Sequence, residues 1–359
     1  MWPTGCFPGD CPSDLHPVSS PARHSWWKFL TESPSQSDHA GHRMTDSPTP
    51  FTNQALARYG VEVTIPSPLT ASELGVDTTP VAYETVGAVA YVTLNRPDYR
   101  NAQNSVMTYS LDAAFVRAVN DADVKVIVLR AAGKHFSAGH DIGTPERDFH
   151  VEYPNTATLY WDHTDRTGGD QRLAREVEVY MGMCRRWREI PKPVIAQVHG
   201  ACIAGGMMLA WICDFIVASD DAFFSDPVAR MGIPGVEYFA HAFVLGPRRA
   251  KEILFTGQRF GAKEALDWGM VNHVVPRDEL AAKVDEIAGN IAEMPQLGLA
   301  LCKKAVNICE DQMGMRNAMD SVFGWHHFAH SANAEAPEGD PLGGMDAKSM
   351  KSSATKQES

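Results

Sequence analysis

The chain has 359 residues, 44% of them hydrophobic and 21% charged, with a formal net charge of −12. That length suits one large domain or two modest ones, and the composition is that of a globular protein. The acidic balance offers no general means of neutralising phosphates, which excludes a nucleic-acid binder; a few local Arg or Lys residues still suffice for one phosphorylated ligand.

Residues 1–75 are rich in Pro, Ser, His and Gly near the start, show no sustained period and read as a disordered or extended arm. Met44 opens a more ordinary N-terminus, so part of residues 1–43 reads as a start-site artefact. The N-terminus lacks the basic start and apolar centre of a signal peptide, and no apolar run reaches the roughly 18–20 residues of a membrane span. Seven scattered cysteines form no CxxC pair and no Cys/His group with zinc-ligand spacing. They point to reduced thiols in a cytoplasm and to no metal.

From Val81 the pattern alternates between strand and helix. Val86–Leu94 reads as a hairpin-like β segment, and Val106–Val119 has helical spacing with apolar residues at 111, 115, 116 and 119. Val124–Leu129 is a continuous apolar run, as in a buried strand. The stretch 144–171 is long, polar and aromatic-laced, which marks a functional or mobile loop. Arg172–Ile190 reads as a helix stopped by Pro191-Lys192-Pro193, Val194–Val198 as a strand, Ile203–Cys213 as a helix and Phe215–Ala218 as a strand. From Asp278 to about His330 the period is helical, and residues 332–359 are again polar and read as a loose tail. Repeated β-then-α units before a helical end predict an α/β layer fold over 76–275 with a C-terminal helical region over 276–331.

Two glycine-containing segments point to chemistry. Gly133-Lys134-His135-Phe136-Ser137-Ala138-Gly139-His140-Asp141-Ile142 follows the buried strand, and His199-Gly200-Ala201-Cys202-Ile203-Ala204-Gly205-Gly206-Met207-Met208 follows the next. Such loops bring backbone N–H groups close to a ligand, which suggests a two-donor oxyanion hole and a carbonyl substrate.

These residues resemble the crotonase superfamily, the enoyl-CoA hydratase/isomerase family. The likeness runs from about Val81 to His330 and includes Val92–Pro97 with Arg100-Asn101-Ala102, Phe136–Ile142, Pro191–Ala196, Gly200–Asp214, Gly232-Ile233-Pro234-Gly235 and Ala265–Val271. It implies a crotonase-like spiral of ββα units with C-terminal helices that mediate assembly into a homotrimer or dimer of trimers. It also implies an acyl-CoA thioester as substrate, with no cofactor beyond the coenzyme A that the substrate carries. By position the oxyanion donors look like His140 and Gly205. Ala138 is then expected against the CoA portion near the adenine, Asp141 beside the substrate, and Arg100 near the CoA phosphates; Lys303 and Lys304 form a second basic pair.

The chain departs from the family where the reaction is chosen. The two glutamates that hydratases use to activate water correspond here to Met208 and Val228, which cannot transfer protons. Glu237 is the candidate replacement, as a carboxylate whose pKa approaches neutrality in an apolar pocket, or else as a glutamate satisfying a helix start. The His140 imidazole either reaches the substrate or fills space beside Asp141. Asp226, before Pro227, reads as a capping or loop residue. His241, one helical turn beyond Glu237, reads as a surface contact on the same face. Cys202 reads as packing. Trp325, His326, His327 and His330 read as a packing or interface patch rather than a metal cluster. The resulting expectation is an enzyme on acyl-CoA thioesters, a lyase or isomerase of fatty acid metabolism, with an atypical acid–base residue; the alternative is an inactive acyl-CoA-binding or assembly subunit.

Overall fold

The computed structural model describes residues 79–143, 163 and 166–337, all within one compact unit, Pro50–Ser359. The expected arm up to residue 78, most of the 144–171 loop and the tail from residue 338 lie outside the described residues. In chain order the elements are β1 (Val81–Val86), β2 (Val89–Leu94), α1 (Ser105–Asn120), β3 (Val126–Ala131) and α2 (Gly168–Glu176). A π-helical stretch (Val177–Gly182) continues α2 into α3 (Met183–Arg188), followed by β4 (Val194–Val198), β5 (Ala201–Ile203) and α4 (Gly205–Trp211). Then come β6 (Phe215–Ser219), β7 (Phe223–Ser225), α5 (His241–Val244), α6 (Pro247–Thr256), β8 (Phe260–Gly261), α7 (Ala262–Asp267) and β9 (His273–Val275). The chain ends in α8 (Leu280–Ala292), α9 (Gln296–Gln312) and α10 (Met315–Glu335).

The main sheet has the order β1-β2-β3-β4-β6-β9, and β5-β7-β8 form a smaller one. Only the β1–β2 hairpin is antiparallel in the main sheet; its other pairings are parallel. Both faces of that sheet are buried, which is why its strands read as apolar runs. Successive side chains go to opposite sides: Val92, Leu94, Ile127, Leu129, Ala196 and Ala218 enter the larger core, whereas Tyr91, Val126, Val128, Ile195 and Val217 enter a second core under α8. Leu280, Val284 and Ala288 cover that second face. Fully burying a Leu or Val side chain stabilises by about 1.5–3 kcal/mol, so α8 is fixed by its own stripe.

The sequence expectations hold for element type and shift at the ends. The helix expected from Ile203 begins at Gly205, because Ala204 has φ +47° and ψ −113° and cannot belong to it. The helix expected from Arg172 begins at Gly168, and the helix expected to end near His330 runs to Glu335.

The turn after β2 sets up the site. Asn101 is fully buried in a left-handed conformation, φ +53°, that Asn tolerates better than most residues. Its Oδ1 accepts from Arg96 N at 2.8 Å, and its Nδ2 donates to Ala132 O and His135 O, each at 2.9 Å. Those bonds tie the β2 turn to the start of the loop after β3. Asn101→Ala leaves buried backbone groups unpaired and is expected to lower unfolding free energy by about 2–4 kcal/mol in denaturant titration; a loss below about 0.5 kcal/mol contradicts this role.

Candidate active site

The two glycine-containing segments meet at the carboxyl ends of the adjacent strands β3 and β4. Ser137 N donates to Ala201 O and Ile203 N to Ser137 O, each at 3.0 Å, so the first loop runs beside β5 like a short strand. On its other side Gln103 N donates to Gly139 O at 2.8 Å and Asp141 N to Gln103 O at 3.0 Å. That pairing leaves the His140 N–H out of the ladder. Gly139 has φ +93°, and a Cβ there would lie 2.8 Å from Ile203 O and 3.1 Å from Gly205 N. A Cβ on Gly205 would lie 3.2 Å from His140 N and closer still to the His140 ring. Glycine at both positions is the condition for the His140 and Gly205 amides to come together. Among the described residues, neither amide donates to another backbone carbonyl outside regular helices and strands. Ala204, just before Gly205, is held in its strained conformation by donation of its N–H to Ser225 O at 2.9 Å. Strain of this kind persists only where the surroundings enforce it, and it gathers at functional sites.

The pocket beside these amides is lined by Ala138, His140, Asp141, Ile142, Ile203, Ala204, Val228, Met231, Ile233, Val236 and Glu237, among others. Glu237 is buried, and its Oε2 lies 2.9 Å from His140 Nε2. Burial pushes the Glu237 carboxyl up, but the charge of His140, its hydrogen bond and the charge of His326 outweigh burial and bring it down to about 2. The expected shift toward neutrality is therefore reversed: apolar walls alone would raise the pKa, but paired histidines keep Glu237 ionised. His140 is further held by stacking on Tyr180, with ring centroids 3.8 Å apart. Tyr180 stands on the π-helical stretch, a distortion that occurs frequently at functional sites.

Asp226 delivers Glu237. It is fully buried; Oδ1 accepts from Val228 N at 3.3 Å, and Oδ2 accepts from Val236 N at 3.3 Å and contacts His241 Nε2 at 2.7 Å. The loop from Pro227 to Ala240 is thereby closed on itself, with Glu237 aimed inward. His241 is not a surface contact on the face of Glu237: it is fully buried and paired with Asp226, because Glu237–Ala240 is not helical and α5 begins only at His241. The capping reading of Asp226 is met, with a buried hydrogen bond to His241 added. Glu237 likewise stands outside any helix start.

Behind Glu237 lie groups that local sequence did not flag. Arg175 and Glu176 close α2 and line the pocket with His326 and His330 of α10. Burial pushes the Glu176 carboxyl up, but its His327 contact and the charges of His330 and His326 outweigh burial and the repulsion from Glu237, leaving it below its usual range. The ligand atoms of Glu176, His326 and His330 all lie within 4.8 Å of one another, a grouping able to hold a metal. The expected packing patch is thus divided: His326 and His330 are buried, whereas Trp325 is exposed.

The other expected residues sort clearly. Ala138, His140, Asp141 and Glu237 share one pocket, with Gly205 against His140. Asp141 is paired with Arg96 at 3.2 Å and its Oδ1 accepts from Gly143 N, so it braces the loop as well as lining the pocket. Arg100 is exposed; what it contributes is its carbonyl, which accepts from Ala138 N at 3.0 Å. Lys303 is buried and paired with Asp214 at 2.9 Å, which withdraws it from CoA phosphates, whereas Lys304 is exposed and meets Glu189 at the surface. Met208 packs in the core, whereas Val228 lines the pocket. Cys202 is fully buried, and burial pushes its thiol well up, as suits packing.

Comparison with known proteins supplies the family. A profile described as enoyl-CoA hydratase/isomerase matches residues 84–335. EchA13 of Mycobacterium tuberculosis, whose name places it with the enoyl-CoA hydratases, is 44% identical over 271 residues, covering 72% of this chain and 83% of that protein. The short-chain-enoyl-CoA hydratase of Clostridium acetobutylicum is 33% identical, covering 63% of this chain and 80% of that protein. A crystal structure from Mycobacterium smegmatis, assigned to the enoyl-CoA hydratases, superposes with a TM-score of 0.65 at 46% identity, covering 73% of this chain and 98% of that one. Motifs, fold and relatives converge: the chain belongs to the enoyl-CoA hydratase/isomerase family of the crotonase superfamily.

Proposed function

We propose that this protein is an acyl-CoA enzyme in which Glu237 replaces the two family glutamates as the single proton-transferring carboxylate. The observation that carries this reading is the His140–Glu237 contact of 2.9 Å, formed by the residue whose amide is one oxyanion donor. The thioester oxygen lies between His140 N–H and Gly205 N–H, where preoriented donors stabilise enolate charge; one such donor is worth about 3–4 kcal/mol of barrier. Ionised Glu237 is a base in the resting enzyme. In hydration it takes a proton from water as the oxygen adds to the β-carbon of an enoyl thioester and returns that proton to the α-carbon. In isomerisation it takes a proton from one carbon and returns it to another. His140 orients the carboxylate and balances its charge in each case.

Ala138 supports the CoA portion, and Arg100 remains the candidate for its phosphates. Exposed Leu297 and Leu301 on α9, with Trp325 and Phe328 on α10, support assembly into a homotrimer or dimer of trimers. The free cysteines suit a cytoplasmic protein, and among the described residues no helix is long and apolar enough to cross a membrane. An inactive binding subunit would have no use for a buried carboxylate kept ionised beside two paired amides.

With a panel of enoyl-CoA thioesters followed by mass spectrometry, Glu237→Gln is expected to lower kcat by at least about a hundredfold while CoA-ester binding persists. Wild-type turnover in that variant removes Glu237 from the reaction, and binding without turnover in the wild type establishes the binding subunit. The same pair yields a pH test. Glu237 has a folded-state pKa of about 2, depressed below its ordinary value of 4.5. Its ionised form therefore contributes stability that is present above pH 4.5 and fades as pH falls toward 2. The stability gap between wild type and Glu237→Gln should narrow over that window in urea titrations, and a gap that widens contradicts the depressed pKa. Light scattering during gel filtration should give a mass of three or six chains; a monomer contradicts the assembly.

A further inference from the structure

The proton-transfer reading leaves Glu176, His326 and His330 unused, although all three are buried on the pocket wall. His326 Nε2 lies 3.0 Å from His330 Nε2 and 3.6 Å from Glu176 Oε2, and His330 Nε2 lies 3.5 Å from Glu176 Oε1. The two Glu176 distances are to different carboxylate oxygens; with one ligand atom taken from each residue, all three lie within 4.8 Å of one another, near enough to close on one small cation.

Hydrogen bonding points the same way. His326 Nδ1 lies 2.9 Å from Gly235 O, and a carbonyl only accepts. Nδ1 therefore carries a proton, and Nε2 is the nitrogen turned toward the cluster. It faces His330, the Glu176 carboxylate and, at 3.8 Å, Glu237 Oε1. An outer N–H tied to a backbone carbonyl with the inner nitrogen aimed at carboxylate and imidazole is how metal-bound histidines are oriented. His326 and His330 stand four residues apart on α10, the helical spacing that puts two imidazoles on one metal.

Charge completes the case. Glu176 and Glu237 bring two carboxylates to a lining in which Arg175 is the one Arg or Lys side chain among the described residues, while Asp141 is matched by Arg96. Such a lining tolerates an added cation beside Glu176. We propose that Glu176, His326 and His330 bind a divalent metal ion of the zinc class, joining α2 to α10 and leaving its remaining coordination position toward Glu237 and the acyl pocket. Binding of the ion does not depend on which proton Glu237 transfers, and metal content is read without turnover.

The test uses full-length, untagged protein made metal-free with a chelator and then titrated with Zn2+ in a calorimeter, with bound metal measured by mass spectrometry after desalting. The chain has 14 histidines, so the variants Glu176→Gln and His330→Gln identify the site. The wild type is expected to retain one equivalent, and Zn2+ is expected to raise its Tm by about 5 °C. Both variants, with unchanged far-UV circular dichroism, should bind that equivalent at least roughly a hundredfold more weakly. Where a variant fails to fold, the zinc absorption edge of the wild type decides: two imidazoles with carboxylate oxygen support the site, and sulfur or all-imidazole ligation overturns it. Wild-type protein that retains no zinc, or folded variants that retain it in full, also overturn the proposal.

Discussion

The close approach of Gly139 to Gly205 governs the rest of this structure. A single methyl group at either position would collide with the backbone of the facing loop or with the His140 ring. Everything around the contact holds it in place. Asn101 ties the β2 turn to the loop after β3, Ser137 joins that loop to β5, and the bond from Ala204 to Ser225 enforces the turn into α4. The parallel order of β3 and β4 brings both loops to one end of the sheet, where open α/β sheets bind ligands.

A buried carboxylate beside such a contact has two fates. Left among apolar side chains it would take up a proton and serve as an acid. Glu237 instead meets His140 at 2.9 Å and has His326 nearby, so it stays ionised. His140 thus brings both a backbone N–H beside Gly205 and the side chain that holds the Glu237 carboxylate. Substituting His140 therefore acts on orientation and on charge together. The buried Asp226–His241 pair plays the same part at one remove, because it shapes the loop from which Glu237 projects.

Much of this was legible in the sequence, and the limits have physical causes. Apolar runs and glycines located β3, β4 and the two loops that meet at their ends, because sheet burial and backbone approach both constrain local composition. Met208 and Val228 drew attention because neither can carry a proton. Tertiary pairing was hidden. His140 and Glu237 are separated by 97 positions, so the sequence shows two candidates and no pair. His241 seemed to share a face with Glu237 only under a helical period, and the helix begins only at His241. Lys303 looked like a surface cation because nothing local discloses Asp214 beneath it. Glu176 lay unmarked inside an amphipathic helix, and only the docking of α10 shows what it faces.

The central claim joins two backbone donors and one carboxylate into a single reacting centre. A crystal structure with a non-reactive acyl-CoA thioester tests it most directly. The account predicts the thioester oxygen about 3 Å from both His140 N and Gly205 N, with a Glu237 oxygen facing the α- and β-carbons. A thioester bound away from these amides, or acyl carbons out of reach of Glu237, would contradict it.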